Sequence, residues 1–382
     1  MYFKYFLVFL VIISCKSQNK TLVEFDPRNL IQSELTLSKI ADSISYFPLN
    51  NSFQLGLIYD NIEFIKDNIY ISEKDIGILS FNIEGNMYRK IGNKGRGPGE
   101  YTFNYSFTVD EKTEIVYILD SGDIIRAYSK NGNFLRRFSL EEYGDMIEAI
   151  DIYNSNLFAL YKIQNKNVKY KWVIVDSLGN LIKKEKRKTP EFTSSIGGSS
   201  GAYSFQDKIS YWNGYFSDTI FSISPDLSEQ ASFIIRQGEH RFPKSRIILP
   251  DEITQFLLIH QIFETDRFWA IRYSYRKLNE FVLIDKETRK TYLANWEFDG
   301  SGGILNDFDG GTRFLPKNYI RKYNREYLVG LMYPFWIKSH ILSNEFKNST
   351  PKYPEKKNEL ENLANSLKET DNPVLVLVRL KK

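Results

Sequence analysis

The feature of this sequence that most constrains its fold is a repeat of short aromatic and β-branched runs, spaced 41 to 59 residues apart. A repeat of about 40 to 50 residues is typical of propellers and other repeat arrays. Six such runs occur, and they begin at Ile69, Val116, Leu157, Ile209, Phe268 and Tyr327. The chain is therefore expected to contain six similar structural units.

Within most units a second run, a tight turn and a third run follow, which predicts a hairpin. In the first unit the runs Ile78–Ile83 and Met87–Ile91 flank Glu84-Gly85-Asn86, and Gly-Asn recurs at 132–133 and 179–180. Glycine and asparagine tolerate the positive φ that tight hairpin turns require. Four-stranded units of this kind bury their faces by packing around a common axis. The sequence thus predicts an all-β fold, a six-bladed β-propeller.

The sixth unit departs from this pattern. Its strand-like run begins at Tyr327 (YLVGLMY), and the polar segment Asn344–Asn372 that follows residue 341 places Leu360, Leu363 and Leu367 at helical spacing. We predict a short helical insertion at about residues 344–372.

The chain ends in an apolar run, Val374–Leu380, which is typical of a strand covered on both sides. A strand from the N-terminal part would have to complete this last blade. Ile44–Leu49 and Leu22–Phe25 are the two candidates.

The N-terminal residues predict an exported lipoprotein. Lys4 precedes nine apolar residues, Tyr5–Ile13, which are too few to span a bilayer and suit the core of a signal peptide. Ile12-Ile13-Ser14-Cys15 then resembles a lipobox, in which the cysteine receives diacylglycerol and becomes the mature N-terminus. The alternative is that Cys15 is incidental, in an uncleaved anchor or an ordinary signal peptide. The predicted segments are a signal peptide at 1–14, a tether and N-terminal segment at 15–36, and the propeller at 37–382.

Charge argues against a nucleic-acid-binding protein, because the net charge is only +4 over 382 residues. The densest basic run, Lys183–Lys188, is broken by Glu185 and is interpreted as a solvated hairpin arm. Since Cys15 is the only cysteine, no disulfide can form within the chain.

Three segments resemble a known family. Gly95-Arg96-Gly97-Pro98-Gly99-Glu100-Tyr101 resembles the G-x-G-P-G-E-[YF] signature of the six-bladed β-propeller lipoproteins of Bacteroidota, relatives of the NHL-type propellers. Asn306–Gly311 resembles that family's late Asp-Gly loop, and Asp371-Asn372-Pro373 with the following VLVLV resembles its C-terminal strand. The resemblance runs from about residue 37 to the end and implies the fold, but it implies neither a ligand nor a reaction. Surface lipoproteins of the phylum usually carry acidic residues after the cysteine; residues 16–20 here are KSQNK, so a periplasm-facing anchor is expected.

Candidate ligand-binding residues lie in loops that join one blade to the next, since loops on a rigid scaffold commonly carry function. In residues 92–104, Arg96, Glu100 and Tyr101 offer charge and an aromatic plane, although Glu100 could instead bond backbone amides and shape the blade crossing. The other candidates in such loops are His240, Arg241 and Arg313.

Asp307 and Asp309 are the candidate metal ligands, because two carboxylates on one turn can converge on Ca²⁺. The alternative is an Asx turn, in which each carboxylate bonds local amides. The pattern G-x-S-x-G at 197–201 formally matches a nucleophile elbow, but no helix is predicted after it, so a catalytic Ser199 is rejected.

Two functions follow from these residues. The first is a binding or interaction module, held at a membrane by its N-terminal lipid, for an unknown glycan, peptide or protein ligand. The second is a metal-assisted hydrolase or lyase of the lactonase-like propeller type, with Ca²⁺ as a possible cofactor. The absence of a catalytic constellation in the sequence favours the first.

Overall fold

The computed structural model shows a chain built almost entirely of strands. The residues that it describes are 22–28, 30, 35–104, 106–162, 168–188, 200–214, 217–243, 249, 251–297, 302–322 and 324–381. The predicted signal peptide, Cys15 and Ser199 lie outside the described residues.

Most of the strands follow one another in groups of four. The N-terminal elements are β1 (Val23–Phe25), the short helix α1 (Leu37–Ile40) and β2 (Ala41–Pro48). The next three groups are β3 (Ile58–Ile65), β4 (Asn68–Glu73), β5 (Gly77–Asn82) and β6 (Met87–Ile91); β7 (Phe107–Val109), β8 (Val116–Asp120), β9 (Ile124–Tyr128) and β10 (Phe134–Ser139); and β11 (Ile147–Tyr153), β12 (Asn156–Tyr161), β13 (Tyr170–Val175) and β14 (Leu181–Lys186).

The second half of the chain continues the pattern until the last group. Its strands are β15 (Ser200–Phe205), β16 (Lys208–Asn213), β17 (Thr219–Ile223) and β18 (Glu229–Ile235); β19 (Leu258–Glu264), β20 (Phe268–Tyr275), β21 (Leu278–Asp285) and β22 (Thr291–Asn295); and β23 (Asn318–Lys322), β24 (Arg325–Met332) and β25 (Val374–Leu380). Three helices, α2 (Pro334–Leu342), α3 (Asn344–Asn348) and α4 (Pro354–Ser366), separate β24 from β25. Single 3₁₀ turns occur at Glu141–Tyr143, Gly238–His240 and Ile253–Gln255.

These groups form the six blades of a β-propeller, which confirms the predicted fold. Blades 1 to 5 each pair four consecutive strands in antiparallel order, beginning with β3, β7, β11, β15 and β19. The first strand of each blade is innermost and contacts the first strand of the next, and β23 of blade 6 contacts β3 of blade 1. The ring is therefore closed around a central channel.

Antiparallel pairing gives the ring two different faces. The connections between blades and the turns between second and third strands lie on one face, here called the upper face. The turns between first and second strands lie on the opposite, lower face. The helices α2 to α4 connect the second and third strands of blade 6 and therefore belong to the upper face.

The strands show why their sequences suit these positions. Strand β8 is buried throughout, because a central strand of a blade is covered by neighbouring blades on both faces. The outermost strand β10 instead has exposed residues at four of its six positions. Each fully buried Val, Leu, Ile or Phe contributes about 1.5–3 kcal/mol to stability.

The last blade is completed by an N-terminal strand, as predicted. Strand β2 pairs with β25 in antiparallel register, with Ile44 opposite Val378. Of the two candidates, Ile44–Leu49 is therefore correct. The other candidate falls in β1, which pairs in parallel with β18 and extends blade 4 to five strands.

The insertion in blade 6 is helical, but it starts earlier than predicted. Strand β24 ends at Met332 and α2 begins at Pro334, whereas the sequence predicts the start of the insertion at about residue 344. Proline has no N–H to donate to a ladder, while its fixed φ suits the first turn of a helix. Helix α4 buries Leu360 and Ala364, which agrees with the predicted amphipathic spacing. Among the described residues, no helix has the length and apolar character needed to cross a membrane.

Candidate functional site

A cavity of about 810 Å³ lies between the innermost strands of all six blades. Polar side chains from every blade line it, among them Asn61, Ser106, Asp151, Ser204, Gln261 and Asn318. Because one residue from each innermost strand region contributes, this cavity is the central channel of the propeller.

Side chains in the channel connect each blade to the next. The innermost strands belong to six separate sheets, so their inner edges carry backbone groups with no strand partner. Asn61 Nδ2 donates to the carbonyl of Phe107 at 2.5 Å, and Asn318 Nδ2 donates to the carbonyl of Ile62 at 2.7 Å. These bonds join blades 1 and 2 and blades 6 and 1.

The other four blade junctions are bridged in a similar way. The bonds are Ser204 Oγ to the carbonyl of Ile152 at 2.8 Å, Gln261 Nε2 to the carbonyl of Lys317 at 2.5 Å, Tyr203 OH to Glu264 Oε2 at 3.1 Å, and Thr108 Oγ1 to Asp151 Oδ1 at 3.4 Å. The polar lining is thus part of what holds the ring together.

Two carboxyl groups in the channel, those of Glu63 and Asp151, have raised pKa values. Burial, with the nearby charge of Asp151 as a second cause, holds the pKa of Glu63 well above its usual range. Burial also raises the pKa of Asp151 to about 6, although the amide of Ile152 donates to its Oδ1 at 2.7 Å. A third carboxyl, Glu148, has its pKa raised by burial as well. Asp151 can therefore hold or release a proton near pH 6.

The two ends of the channel carry cations that are already paired. At the lower end, Lys66 contacts Glu114 and Lys322 contacts Asp67. On the wall near the upper end, the guanidinium of Arg272 lies 5.2 Å from the ring centre of Trp296. The lining therefore combines acids, amides, hydroxyls and paired cations.

We expect Asp151→Asn to stabilise the protein at pH 8 and to change stability little at pH 3.5. Because the pKa of Asp151 is higher in the folded state than the unfolded value near 3.9, its proton stabilises the fold fully below about pH 4, and this contribution is lost as pH rises through about 6. At pH 8 the neutral amide removes a penalty of about 1–3 kcal/mol, reduced by any water in the channel. Thermal melts at both pH values measure the difference.

The matched control for this variant is Asp75→Asn, since Asp75 is an exposed residue of an upper-face turn. Its melting temperature should follow the wild type at both pH values. Equal melting temperatures of Asp151→Asn and wild type at pH 8 would contradict the assigned role of the channel carboxyl.

The loop 92–104 folds upon itself rather than towards the channel. Tyr101 is fully buried. Its hydroxyl accepts a hydrogen bond from the amide of Ile78 at 2.9 Å and donates one to the carbonyl of Ile91 at 3.0 Å. Glu100 Oε2 accepts the amide of Gly97 at 2.8 Å. These contacts favour the alternative in which Glu100 and Tyr101 shape the blade crossing. Arg96 is exposed on the same loop.

The carboxylate oxygens of Asp307 and Asp309 accept hydrogen bonds from other groups of the protein. Asp307 accepts the amide of Ser38 at 2.8 Å, and Asp309 accepts Tyr46 OH at 2.7 Å and the amide of Gly311 at 2.8 Å. The bond to Gly311, two residues on, is an Asx turn, which is the alternative that the sequence left open. In the part of the chain that the structure describes, no three His, Cys, Asp or Glu side chains are grouped as metal ligands would be.

The remaining candidates, His240, Arg241 and Arg313, lie outside the channel lining. His240 borders a second pocket of about 530 Å³ on the upper face, where its ring packs edge-on against Tyr275 at 4.9 Å. Arg241 pairs with Asp218 at 2.5 Å. Arg313 donates to the carbonyl of Gly303 at 3.3 Å. The structure therefore does not assemble the loop candidates into one site, whereas the channel residues, which the sequence did not single out, converge.

Comparisons with known proteins agree with the fold. The family described as "Domain of unknown function (DUF4934)" matches residues 22–379. No curated protein matches the sequence. A crystal structure of a putative exported protein from Bacteroides fragilis superposes with a TM-score of 0.66 at 19% identity, covering 95% of this chain and 100% of that one. The WD40 repeats of RRP9 give a TM-score of 0.46 at 10% identity, covering 91% of this chain and 99% of that one, and carry no further argument.

Proposed function

The chain belongs to the DUF4934 family, and on that basis and the geometry of its channel we propose that it is an exported, lipid-anchored propeller that binds a small polar ligand. The ligand site is the central channel, and the observation that carries the proposal is the 810 Å³ cavity to which all six blades contribute polar groups. Ligand pockets commonly measure about 300–1,000 Å³.

Export and anchoring are supported by the N-terminal sequence. Cys15 follows a short apolar stretch and a small residue, as the acylated cysteine of a lipoprotein does. The B. fragilis protein of the same fold is described as exported. The polar residues after Cys15 include no acid, which favours attachment on the periplasmic side of a membrane.

The chemistry of the lining favours a ligand that carries hydroxyl or amino groups. Asn61, Gln261 and Asn318 have amide groups at the channel, and Glu63 and Asp151 add carboxyl groups whose pKa values are raised by burial. A short peptide or a glycan fragment matches these groups. The cavity is too small to enclose a folded protein domain.

The metal-assisted hydrolase has no comparable support. This function would use Asp307, Asp309, Glu100 and His240, but Asp307 accepts the amide of Ser38, and Asp309 and Glu100 accept backbone amides of their own loops. His240 faces a separate pocket. Binding is therefore the proposed function.

A screen of short oligosaccharides and of tripeptides by isothermal titration calorimetry tests this function. We expect compounds that bind the wild type to lose at least tenfold in affinity, about 1.4 kcal/mol, in a Glu63→Gln, Asp151→Asn double variant, because these isosteres remove the charge and proton exchange without changing shape. Arg96→Ala, on the exposed loop, is the matched control and should bind as wild type. Binding that is insensitive to the double variant, or a screen in which nothing binds, would contradict a ligand site in the channel.

A further inference from the structure

The central channel contains three carboxyl groups that the protein does not pair with a cation. Glu63 lies on β3 of blade 1, Glu148 and Asp151 lie on β11 of blade 3, and all three line the channel. In the part of the chain that the structure describes, none of them forms an ion pair, although the positive charge of Lys162 acts on Glu148. A carboxylate that is buried without a counter-charge is unfavourable, and a cation brought by a ligand would relieve this cost.

The cations of the lining are engaged with other side chains. The contacts are Lys66 with Glu114, Lys322 with Asp67, Arg321 with Asp266, and Arg272 with the ring of Trp296. Arg272 belongs to blade 5, which lies across the ring from blade 2, whereas the three carboxyls belong to the blades on either side of blade 2. The channel wall is therefore acidic on the side of blades 1 to 3.

Glu63 and Asp151 are close enough to interact. They flank β7, the first strand of blade 2, from which Thr108 Oγ1 donates to Asp151 Oδ1 at 3.4 Å. The negative charge of Asp151 acts on Glu63, and a cation between the two carboxyls would remove this repulsion. Among the described residues, no three His, Cys, Asp or Glu side chains are grouped as ligands of a metal ion. The positions suit an ammonium group instead, because its three N–H donors reach separate carboxyls.

A tryptophan of blade 4 gives a second, independent indication of a ligand. Trp212 on β16 pairs with Gly201 on the innermost strand β15. A Cβ at position 201 would lie 2.5 Å from two ring carbons of Trp212, so the indole reaches the channel wall only because residue 201 is glycine. The side chain is 4% exposed, and its N–H has no acceptor among the described residues. A carbonyl or hydroxyl oxygen of a ligand would satisfy this buried donor.

The carboxyl pair and the indole lie at different depths of the channel. Ser204 Oγ on β15 donates to the carbonyl of Ile152 at 2.8 Å, so Ser204 and Asp151 are at about the same level. Gly201 comes three residues earlier on β15, about 10 Å nearer the upper end. Compounds of about this length, such as a tripeptide at about 3.3–3.6 Å per residue, place an ammonium at the carboxyls and an oxygen near the indole.

We propose that the channel recognises a primary ammonium group, which Glu63 and Asp151 hold, on a ligand whose carbonyl or hydroxyl oxygen accepts from Trp212. This inference rests on the channel site of the proposed function and narrows its ligand class. Peptide N-termini and amino sugars both carry such a group. Acetylation converts the ammonium of either one into an amide, which keeps one donor and loses the charge.

Isothermal titration calorimetry on the full-length protein compares two matched pairs of compounds. Trialanine amide is paired with its N-acetyl form, and the trimer of glucosamine is paired with the trimer of N-acetylglucosamine. We expect the free amine to bind at least tenfold more tightly than its acetylated partner in at least one pair. The pair that shows this difference identifies the source of the ammonium group.

Two double variants locate the group that recognises the charge. In Glu63→Gln, Asp151→Asn the ratio of the two affinities should fall to within twofold of one. Asp75→Asn, Glu84→Gln makes the same two changes at exposed residues and should keep the wild-type ratio. A ratio that persists in the channel variant would overturn the ammonium site, because the amine would then bind elsewhere.

The affinities also separate this inference from the proposed function. Equal affinities within both pairs, with both members weakened in the channel variant, would overturn the ammonium site and leave the channel as a site for neutral ligands. Failure of all four compounds to bind would overturn the ammonium site, and the wider screen of oligosaccharides and tripeptides would then decide the channel function by itself.

Discussion

Deletion of residues 373–382 is expected to abolish the cooperative unfolding transition of the propeller. The deletion removes β25, which lies between β24 and β2 in blade 6. Val374, Leu375, Val376, Leu377 and Val378 are all buried in this strand, and the loss of five such side chains costs about 7–15 kcal/mol. The net stability of a domain is about 5–15 kcal/mol, so this loss is as large as the whole free energy of unfolding and blade 6 should not stay folded.

The consequence extends beyond one blade because β2 is left without a partner and blade 1 loses its packing against Leu375 and Leu377. Calorimetry and near-ultraviolet circular dichroism measure the effect. A chain that lacks only Lys382 is the control and should melt as the wild type. If the chain that ends at Asn372 melts cooperatively at the wild-type temperature, closure by β2 and β25 is not required for the fold.

The blade repeat was predictable because a glycine with positive φ occupies the equivalent turn in three successive blades. Gly85, Gly132 and Gly179 have φ values of 86°, 83° and 93° in the turns between third and fourth strands. A Cβ at Gly85 would lie 2.2 Å from the carbonyl oxygen of Pro48, and one at Gly132 would lie 2.4 Å from that of Lys90. Each turn therefore needs glycine both for its dihedral angles and for the approach of the preceding blade, which leaves a visible repeat in the sequence.

The start of the helical insertion was not predictable from hydrophobicity. The residues of α2, PFWIKSHIL, are apolar on most sides of the helix, so they show no helical period that separates them from a buried strand. Pro334 was the available signal. A proline in the interior of an apolar run argues against a central strand and suits the first turn of a helix.

The channel was missed because its residues converge only in three dimensions. Glu63 and Asp151 lie on the first strands of blades 1 and 3, and no spacing in the sequence relates them. The innermost strands β3 and β11 also contain register shifts against their neighbours, which interrupt the alternation of apolar and polar residues. A single polar residue within such a strand gives no sign of a site in the sequence. The site forms only when polar residues from all six innermost strands meet around the axis.

The loop candidates were predicted because they are charged or aromatic. These properties do not distinguish a residue that binds a ligand from one that bonds its own loop. Glu100 and Asp309 both bond backbone amides of their own loops. Glycines beside an acid indicate a tight turn with unpaired amides, and the nearest carboxylate commonly satisfies them. The same reasoning applies to Asn372, whose segment carried part of the family resemblance.

Asn372 ties the end of the insertion to the connection between blades 6 and 1. It is buried, and its Oδ1 accepts the amide of Leu55 at 2.8 Å. Its Nδ2 donates to the carbonyls of Asn50 at 2.8 Å and Phe53 at 2.6 Å. One side chain therefore fixes the segment that leaves β2 and the segment that enters β25, which are the two strands that close the ring.

Asn372→Leu is expected to lower the free energy of unfolding by about 2–4 kcal/mol, because it leaves the buried amide of Leu55 without an acceptor and removes two further bonds. Asn358→Leu, the same change at an exposed position of α4, is the control and should alter stability by less than about 0.5 kcal/mol. Asn372→Asp keeps an acceptor for the amide of Leu55 but loses the two bonds that Nδ2 donates. Its free energy of unfolding should therefore be equal to or below that of the leucine variant. Urea unfolding curves compare the three. Equal midpoints for Asn372→Leu and Asn358→Leu would show that the closure does not depend on this residue, and that the two terminal strands are held by their ladder alone.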